Sequence, residues 1–306
     1  MEKKRFAHLP ENFKRNIFGS HQKKGKRWLA NLPDLIAEMS EKWLLTVDEP
    51  FPDLSYNFVA PCVCEGGTNA VLKIGYNEKD SIILSEANFL TVLDGNGAVK
   101  LLQFDKNYCA LLLERLLPGE NLVELAKTDD EQATANAIRV MKKIRHSPPE
   151  NIGFPTLEKW VDSFLRAGKT NLDFVSIKKA RKIFGRLIGS SEQLLLHGDL
   201  HHQNILSARR DSFLAIDPKG IIGDIGFEIS VFLNNPRGWL LTNSDPREIA
   251  QRRVEQFAEA FAIKPRDLCD WAYAEAVLSA WWTLEDGRSD WEKWLACAEI
   301  WDGILQ

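Results

Sequence analysis

No run of this 306-residue chain is apolar for the roughly 20 residues that a membrane-spanning helix needs. The N-terminal MEKKRFAHLPENF is basic but has no apolar core behind it, so no secretory signal and no membrane partner are expected. An excess of positive charge is missing too. Lys and Arg number 39 against 43 Asp and Glu, a net charge of −4, and this excludes the basic footprint of a nucleic-acid-binding protein. Cysteine is scarce. Cys62, Cys64, Cys109, Cys269 and Cys297 are odd in number and scattered, and one residue between the first two is poor zinc spacing. They read as reduced thiols of a cytoplasmic protein. The chain has no internal repeat and no low-complexity linker, no Walker A sequence and no Gly-x-Gly-x-x-Gly loop.

What is there is an ordinary globular composition, 44% apolar and 27% charged, long enough for one large domain or two modest ones. Residues 1–27 are Lys-rich with weak structure signals. Leu35, Ile36, Met39 and Trp43 recur at helical spacing, with Pro33 suited to a first helical turn. NFVAPCVCEGGTNAVLKIGY predicts two strands joined by a turn at Gly66 and Gly67, and a helix is expected from Ser85 to about Leu93. NYCALLLERLLPGENL predicts a strand ending in a turn at Pro118–Gly119. Beyond it the pattern turns helical, with a short β insert around residues 193–216 and a helix capped by Asp245 and Pro246. Eight of the ten tryptophans lie from Trp160 onward, which places the larger core there. Strands followed by helices argue for an α+β chain of two lobes.

The chemistry concentrates in LLLHGDLHHQNILSARRDSFLAIDPKGIIGD. Half of the six histidines fall there, among aspartates and an asparagine. Asp199 sits in a polar loop between two apolar strands, Asn204 follows five residues later and Asp217 thirteen after that. A hairpin between the strands would bring Asn204 and Asp217 together. An amide oxygen and a carboxylate are hard ligands that suit Mg²⁺ with phosphate oxygens completing its shell. Asp199 would then be free to take a hydroxyl proton, which assembles the parts of phosphoryl transfer. A rival reading makes His197, Asp199, His201 and His202 a transition-metal cluster, but it leaves Lys73, Glu86 and Asp217 unexplained.

HGDLHHQN matches the kinase catalytic-loop pattern of His, any residue, Asp, and Asn five further on, with Gly198 where protein kinases have arginine. With AIDPKG in place of Asp-Phe-Gly, and LSAWWTLEDG near the end, the chain resembles the aminoglycoside phosphotransferases. Within them it is similar to the streptomycin 6-phosphotransferase, or aminoglycoside/hydroxyurea resistance kinase, branch. The likeness covers roughly residue 28 to the C-terminus. It implies a bilobal protein-kinase-like fold. A small β-rich lobe with an N-terminal helix and antiparallel sheet, residues 1–117, would bind nucleotide, and a larger mainly helical lobe, residues 118–306, would carry the catalytic loop, metal site and substrate helices. It implies ATP as co-substrate with Mg²⁺, Asp199 as catalytic base, and Asn204 and Asp217 as metal ligands. It also implies Lys73 on the nucleotide phosphates, paired with Glu86, and a hinge for the adenine around Glu114 and Leu116. The acceptor implied is a hydroxyl of a streptomycin-type aminoglycoside. Another amino-sugar or amino-alcohol metabolite, hydroxyurea, and a non-catalytic nucleotide-binding module are the alternatives.

Lys73 lies in the apolar run VLKI, so its charge needs a partner, and Glu86 is the natural one. Gly66 and Gly67 fit either a phosphate-covering loop or a tight hairpin. His197 reads as loop scaffolding. Asp224 and Glu228 read as structural, although relatives usually carry aspartate where Glu228 stands. Glu275 falls on the apolar stripe of Leu268, Trp271, Leu278 and Trp282, where a carboxylate needs a partner or a ligand. A cationic substrate would supply it, so Glu275, Glu285, Asp286, Asp224 and His202 form the set of candidate substrate contacts. The mildly acidic balance suits such a substrate.

Overall fold

The computed structural model describes residues 9–76, 82–166 and 174–304. The chain divides into two compact units. One takes the residues up to Gly95 and Val99–Leu116, the other Asn96–Ala98 and everything from Leu117. The three-residue excursion has a reason: Gly97 O accepts from Ala215 N–H at 2.9 Å and Asn96 Nδ2 donates to Lys143 O at 3.2 Å, both partners in the second unit.

In the first unit, helix α1 (Glu11–Trp43) leads into strands β1 (Leu45–Val47), β2 (Phe58–Cys64) and β3 (Asn69–Ile74). Helix α2 (Ile82–Leu93) and strands β4 (Leu101–Asp105) and β5 (Ala110–Glu114) come next. The antiparallel sheet runs β1-β2-β3-β5-β4. Alternation along β3 puts Ala70, Leu72 and Ile74 in the core with Phe58, Ala60 and Cys62 of β2. Val71 and Lys73 therefore point to the other face.

Helix α1 departs from expectation. It starts well before Pro33, which lies inside it, and is kinked at Gln22 (φ 48°). The lysines that weakened the sequence signal line its exposed side. Phe13, Ile17, Leu32, Ile36 and Met39 bury against the sheet core. At about 1.5–3 kcal/mol each they outweigh the ~3 kcal/mol that an internal proline costs a helix.

In the second unit, strand β6 (Pro118–Asn121) replaces the turn expected at Pro118–Gly119, because its backbone pairs with a later strand. After β6 come α3 (Leu122–Thr128), α4 (Asp130–Ile144), α5 (Leu157–Val161), α6 (Phe174–Leu187) and β7 (Gln193–Leu196). Then β8 (Ile205–Ala208), β9 (Phe213–Ala215) and β10 (Ile221–Asp224) lead into α7 (Ile225–Leu233). The chain ends with α8 (Arg237–Thr242), α9 (Pro246–Phe261), α10 (Pro265–Glu285) and α11 (Glu292–Ile304). Strand β6 joins the β8–β9 hairpin, and β7 pairs antiparallel with β10. Helix α10 is buried on nearly every side and packs on α6, α7, α9 and α11, which is why it is apolar all round. Asp245 caps α9 by accepting from Glu248 N–H at 3.0 Å. Among the described residues no helix is long and apolar enough to cross a membrane.

Candidate active site

The candidate residues fall in both units. In the first unit, β3 aims Lys73 away from the sheet core and α2 turns Glu86 inward. The Lys73 Nζ to Glu86 Oε2 distance is 2.6 Å, with side-chain exposures of 6% and 0%. Gly66 and Gly67 form the β2–β3 turn with φ of 91° and 85°, and a Cβ on either would meet nothing within 4 Å. Positive φ at both positions accounts for two adjacent glycines. Glu114 ends β5 opposite Ala70, at the same end of the sheet as that turn, and the buried Leu116 comes two residues later.

In the second unit, β7 delivers the chain into His197-Gly198-Asp199, and His197 is the hub of the loop. Its Nε2 donates to Ile216 O at 2.8 Å and its Nδ1 accepts from Asp199 N–H at 3.2 Å. Its carbonyl accepts from Lys219 N–H at 2.7 Å and Gly220 N–H at 3.1 Å. Burial pushes the imidazole down to about 4, so it is neutral, as the donor–acceptor pattern demands. Gly198 has φ +82°, and a Cβ there would approach Trp160 at 3.3 Å, which is why no arginine stands at this position.

The β8–β9 hairpin brings the expected metal ligands together. Ile216 N–H donates to Asn204 O at 2.9 Å, so Asp217, one residue on, lies beside Asn204. Asn204 Nδ2 donates to Asp199 O at 2.8 Å, which leaves Oδ1 as the amide's acceptor atom. Asp217 has φ 58°, an αL conformation uncommon outside glycine and concentrated at functional sites. Two adjacent hard oxygen donors fit a divalent cation such as Mg²⁺. The imidazoles do not fit a transition-metal cluster. His197 is spent on the backbone, and His202 is fully buried, stacked on Phe232 at 3.9 Å. His201 Nε2 lies 3.6 Å from Asp199 Oδ1.

A family profile described as aminoglycoside/hydroxyurea antibiotic resistance kinase matches residues 42–287. The chain belongs to that family. The streptomycin 6-kinase of Streptomyces griseus is 27% identical over 289 residues, 92% of each chain. The hydroxyurea phosphotransferase of Kitasatospora aureofaciens is 28% identical over 282 residues, 86% of this chain and 76% of that one. Among solved structures, the amicoumacin kinase hAmiN in complex with AMP-PNP and Ca²⁺ superposes with a TM-score of 0.62. That likeness is at 15% identity over 88% of this chain and 93% of the other. The fold of this resistance-kinase family member is protein-kinase-like, with a β-sheet N-terminal part and a mainly helical C-terminal part, as the resemblance implied.

Several substrate candidates are corrected by burial. His202 accepts from Arg253 Nη2 at 3.3 Å, and Arg253 is itself paired with Asp130, so this histidine anchors the loop from inside. Burial, then Arg253, drives its pKa well below the usual histidine range. Asp224 accepts from Gly189 N–H at 2.9 Å, Ser191 N–H at 3.0 Å and Gln193 Nε2 at 2.9 Å, and so ties the α6–β7 connection to β10. Glu275 finds its partners internally, accepting from Ser279 Oγ and Asn234 Nδ2 at 2.5 Å each. Burial raises it to about 7. These three have no surface to offer a substrate. Glu285 and Asp286, at the end of α10, are exposed.

Sequence reasoning read Glu228 as structural and missed Trp160 and Lys219. Glu228 does brace the loop despite its extra methylene: Gly198 N–H donates to its Oε2 at 2.9 Å, and the Leu200 and His197 amides face it. Burial raises this carboxyl to about 7. Trp160 packs against Gly198 and, edge-on, against Trp282 at 5.5 Å. Lys219 lies between Asp199 and Asp217. The only sequence signal for it was the replacement of Phe by Pro and Gly by Lys after Asp217.

Proposed function

We propose that this family member transfers the γ-phosphoryl group of ATP to a hydroxyl of a streptomycin-type aminoglycoside. The observation that carries this reading is the hairpin closure that lays Asn204 beside Asp217 while Asn204 holds the backbone of Asp199. Asn204 Oδ1 and the Asp217 carboxylate would hold Mg²⁺. Bound there, the ion neutralises charge on the phosphate oxygens. Asp199 orients the acceptor hydroxyl and takes its proton as the oxygen attacks the γ-phosphorus and ADP departs. His197 and Glu228 hold the backbone from which Asp199 projects. In the first unit, Lys73 meets the nucleotide phosphates, held in place by Glu86. Gly66, Gly67 and the Glu114–Leu116 backbone contribute to nucleotide binding at their end of the sheet. Glu285 and Asp286 supply negative charge for a cationic acceptor.

A second reading, hydroxyurea as acceptor, is favoured by the Kitasatospora relative. The test is ADP release by the purified chain with Mg²⁺-ATP across streptomycin, other aminoglycosides, hydroxyurea and small amino alcohols. Streptomycin-stimulated release with a phosphorylated product supports the first reading. Stimulation by hydroxyurea or an amino alcohol alone replaces the acceptor. Failure of every acceptor leaves a nucleotide-binding module in place of a kinase.

A further inference from the structure

Lys219 sits where its charge cannot be indifferent to a metal. Its Nζ lies 3.0 Å from Asp217 Oδ2 and 3.4 Å from Asp199 Oδ2. The placement is imposed by the backbone. Lys219 N–H and Gly220 N–H both donate to His197 O, and Pro218 fixes φ between the lysine and Asp217. The ammonium is thus carried to the carboxylates by the same loop that presents them.

The pairing has little value as a structural bridge. The side chains of Asp199, Asp217 and Lys219 are 34%, 33% and 24% exposed, and ion pairs at such exposure contribute little to stability. What the lysine does is cancel charge where two carboxylates converge. A divalent cation on Asp217 would stand within a few ångströms of the ammonium, and like charges at that range repel strongly. The two cations therefore compete for the charge of one carboxylate.

We propose that Lys219 is a built-in counter-ion that competes with the divalent cation for Asp217 and is displaced from that carboxylate when the metal binds. This rests on the reading of Asp217 as a metal ligand. Lys219 is a positioning residue that keeps Asp199 and Asp217 clustered before metal arrives, and the cost of displacing it sets how weakly the empty site takes metal.

The experiment is titration of the full chain with Mn²⁺ alone, the free ion being followed by electron paramagnetic resonance. The set is the parent protein, Lys219→Met, Lys219→Arg and Asp217→Asn, each checked for unchanged melting temperature. Expected are Asp217-dependent binding in the parent, binding about three- to tenfold tighter in Lys219→Met, and parent-like binding in Lys219→Arg, which keeps the cation. Equal or weaker binding in Lys219→Met, with Asp217-dependent binding intact in the parent, overturns the inference and leaves the kinase reading standing. Binding in the parent that Asp217→Asn does not change overturns the reading of the site and the inference with it.

Discussion

Each unit of this chain places a lysine against a carboxylate, and the two pairs are physically unlike. Lys73 and Glu86 are 6% and 0% exposed at 2.6 Å. Lys219 and Asp217 are 24% and 33% exposed at 3.0 Å. Water screens the second pair and not the first. The first is a fixed part of the unit, since removing one partner strands a buried charge. The second can be rearranged at little cost, as the role proposed for Asp217 in holding a metal requires. The same two residue types thus make a rigid element in one place and an exchangeable one in the other. The difference is depth of burial.

Four measurements test how far that contrast holds. The largest concerns the open cluster: Asp199→Asn should lower kcat by about 10²- to 10⁴-fold with no change in melting temperature, checked by ADP release and thermal denaturation. Next is the buried pair. Lys73→Met should lose activity but also destabilise the chain by about 3–5 kcal/mol in urea unfolding, because the buried Glu86 loses its cation. Pairing Lys73→Met with Glu86→Leu should restore most of that stability and none of the activity.

The third outcome concerns a buried carboxyl held by neutral hydrogen-bond donors. Glu275 is raised from 4.5 to about 7 by burial. Its folded form prefers the proton, so the associated stability is complete below pH 4.5 and is lost as pH rises through 7. Relative to the parent, Glu275→Gln should therefore gain on the order of 3 kcal/mol across that window. His197 has the opposite sign, losing stability as pH falls from 6.5 toward about 4, and cancels in the difference. Chemical denaturation at a series of pH values reads it. The smallest effect is at Gly198: Gly198→Ala forces a Cβ onto φ +82° and should cost about 1–2 kcal/mol in urea, with a loss of kcat from displacement of Asp199.

Much of the site's assembly was legible from the linear text. The apolar flanks of HGDLHHQN predict strands, and a hairpin between them puts Asn204 near Asp217 without knowledge of any other residue. Lys73 in VLKI demands a partner, and Glu86 was the nearest helix carboxylate. What misled was burial. His202, Asp224 and Glu275 look like available polar groups, but Phe232 with Arg253, the α6–β7 connection, and Asn234 with Ser279 enclose them. Pro33 looked like a helix start, because the sheet that makes an earlier start favourable is invisible to local periodicity. Pro118–Gly119 looked like a turn, because its strand partner lies about 90 residues away at Ala208.

Residue identity and short-range spacing were enough to show which groups this protein has to offer: Asp199, Asn204 and Asp217 around one hairpin, and Lys73 on a strand. They also determined the α+β order of its elements, since strand alternation, caps and turns act over a few residues. Only the tertiary structure decided which charges are locked and which exchangeable, that Glu228 braces the loop, and that Lys219 spans two aspartates. Desolvation and Coulomb energy depend on what surrounds a group in space, and those neighbours come from positions far apart along the chain.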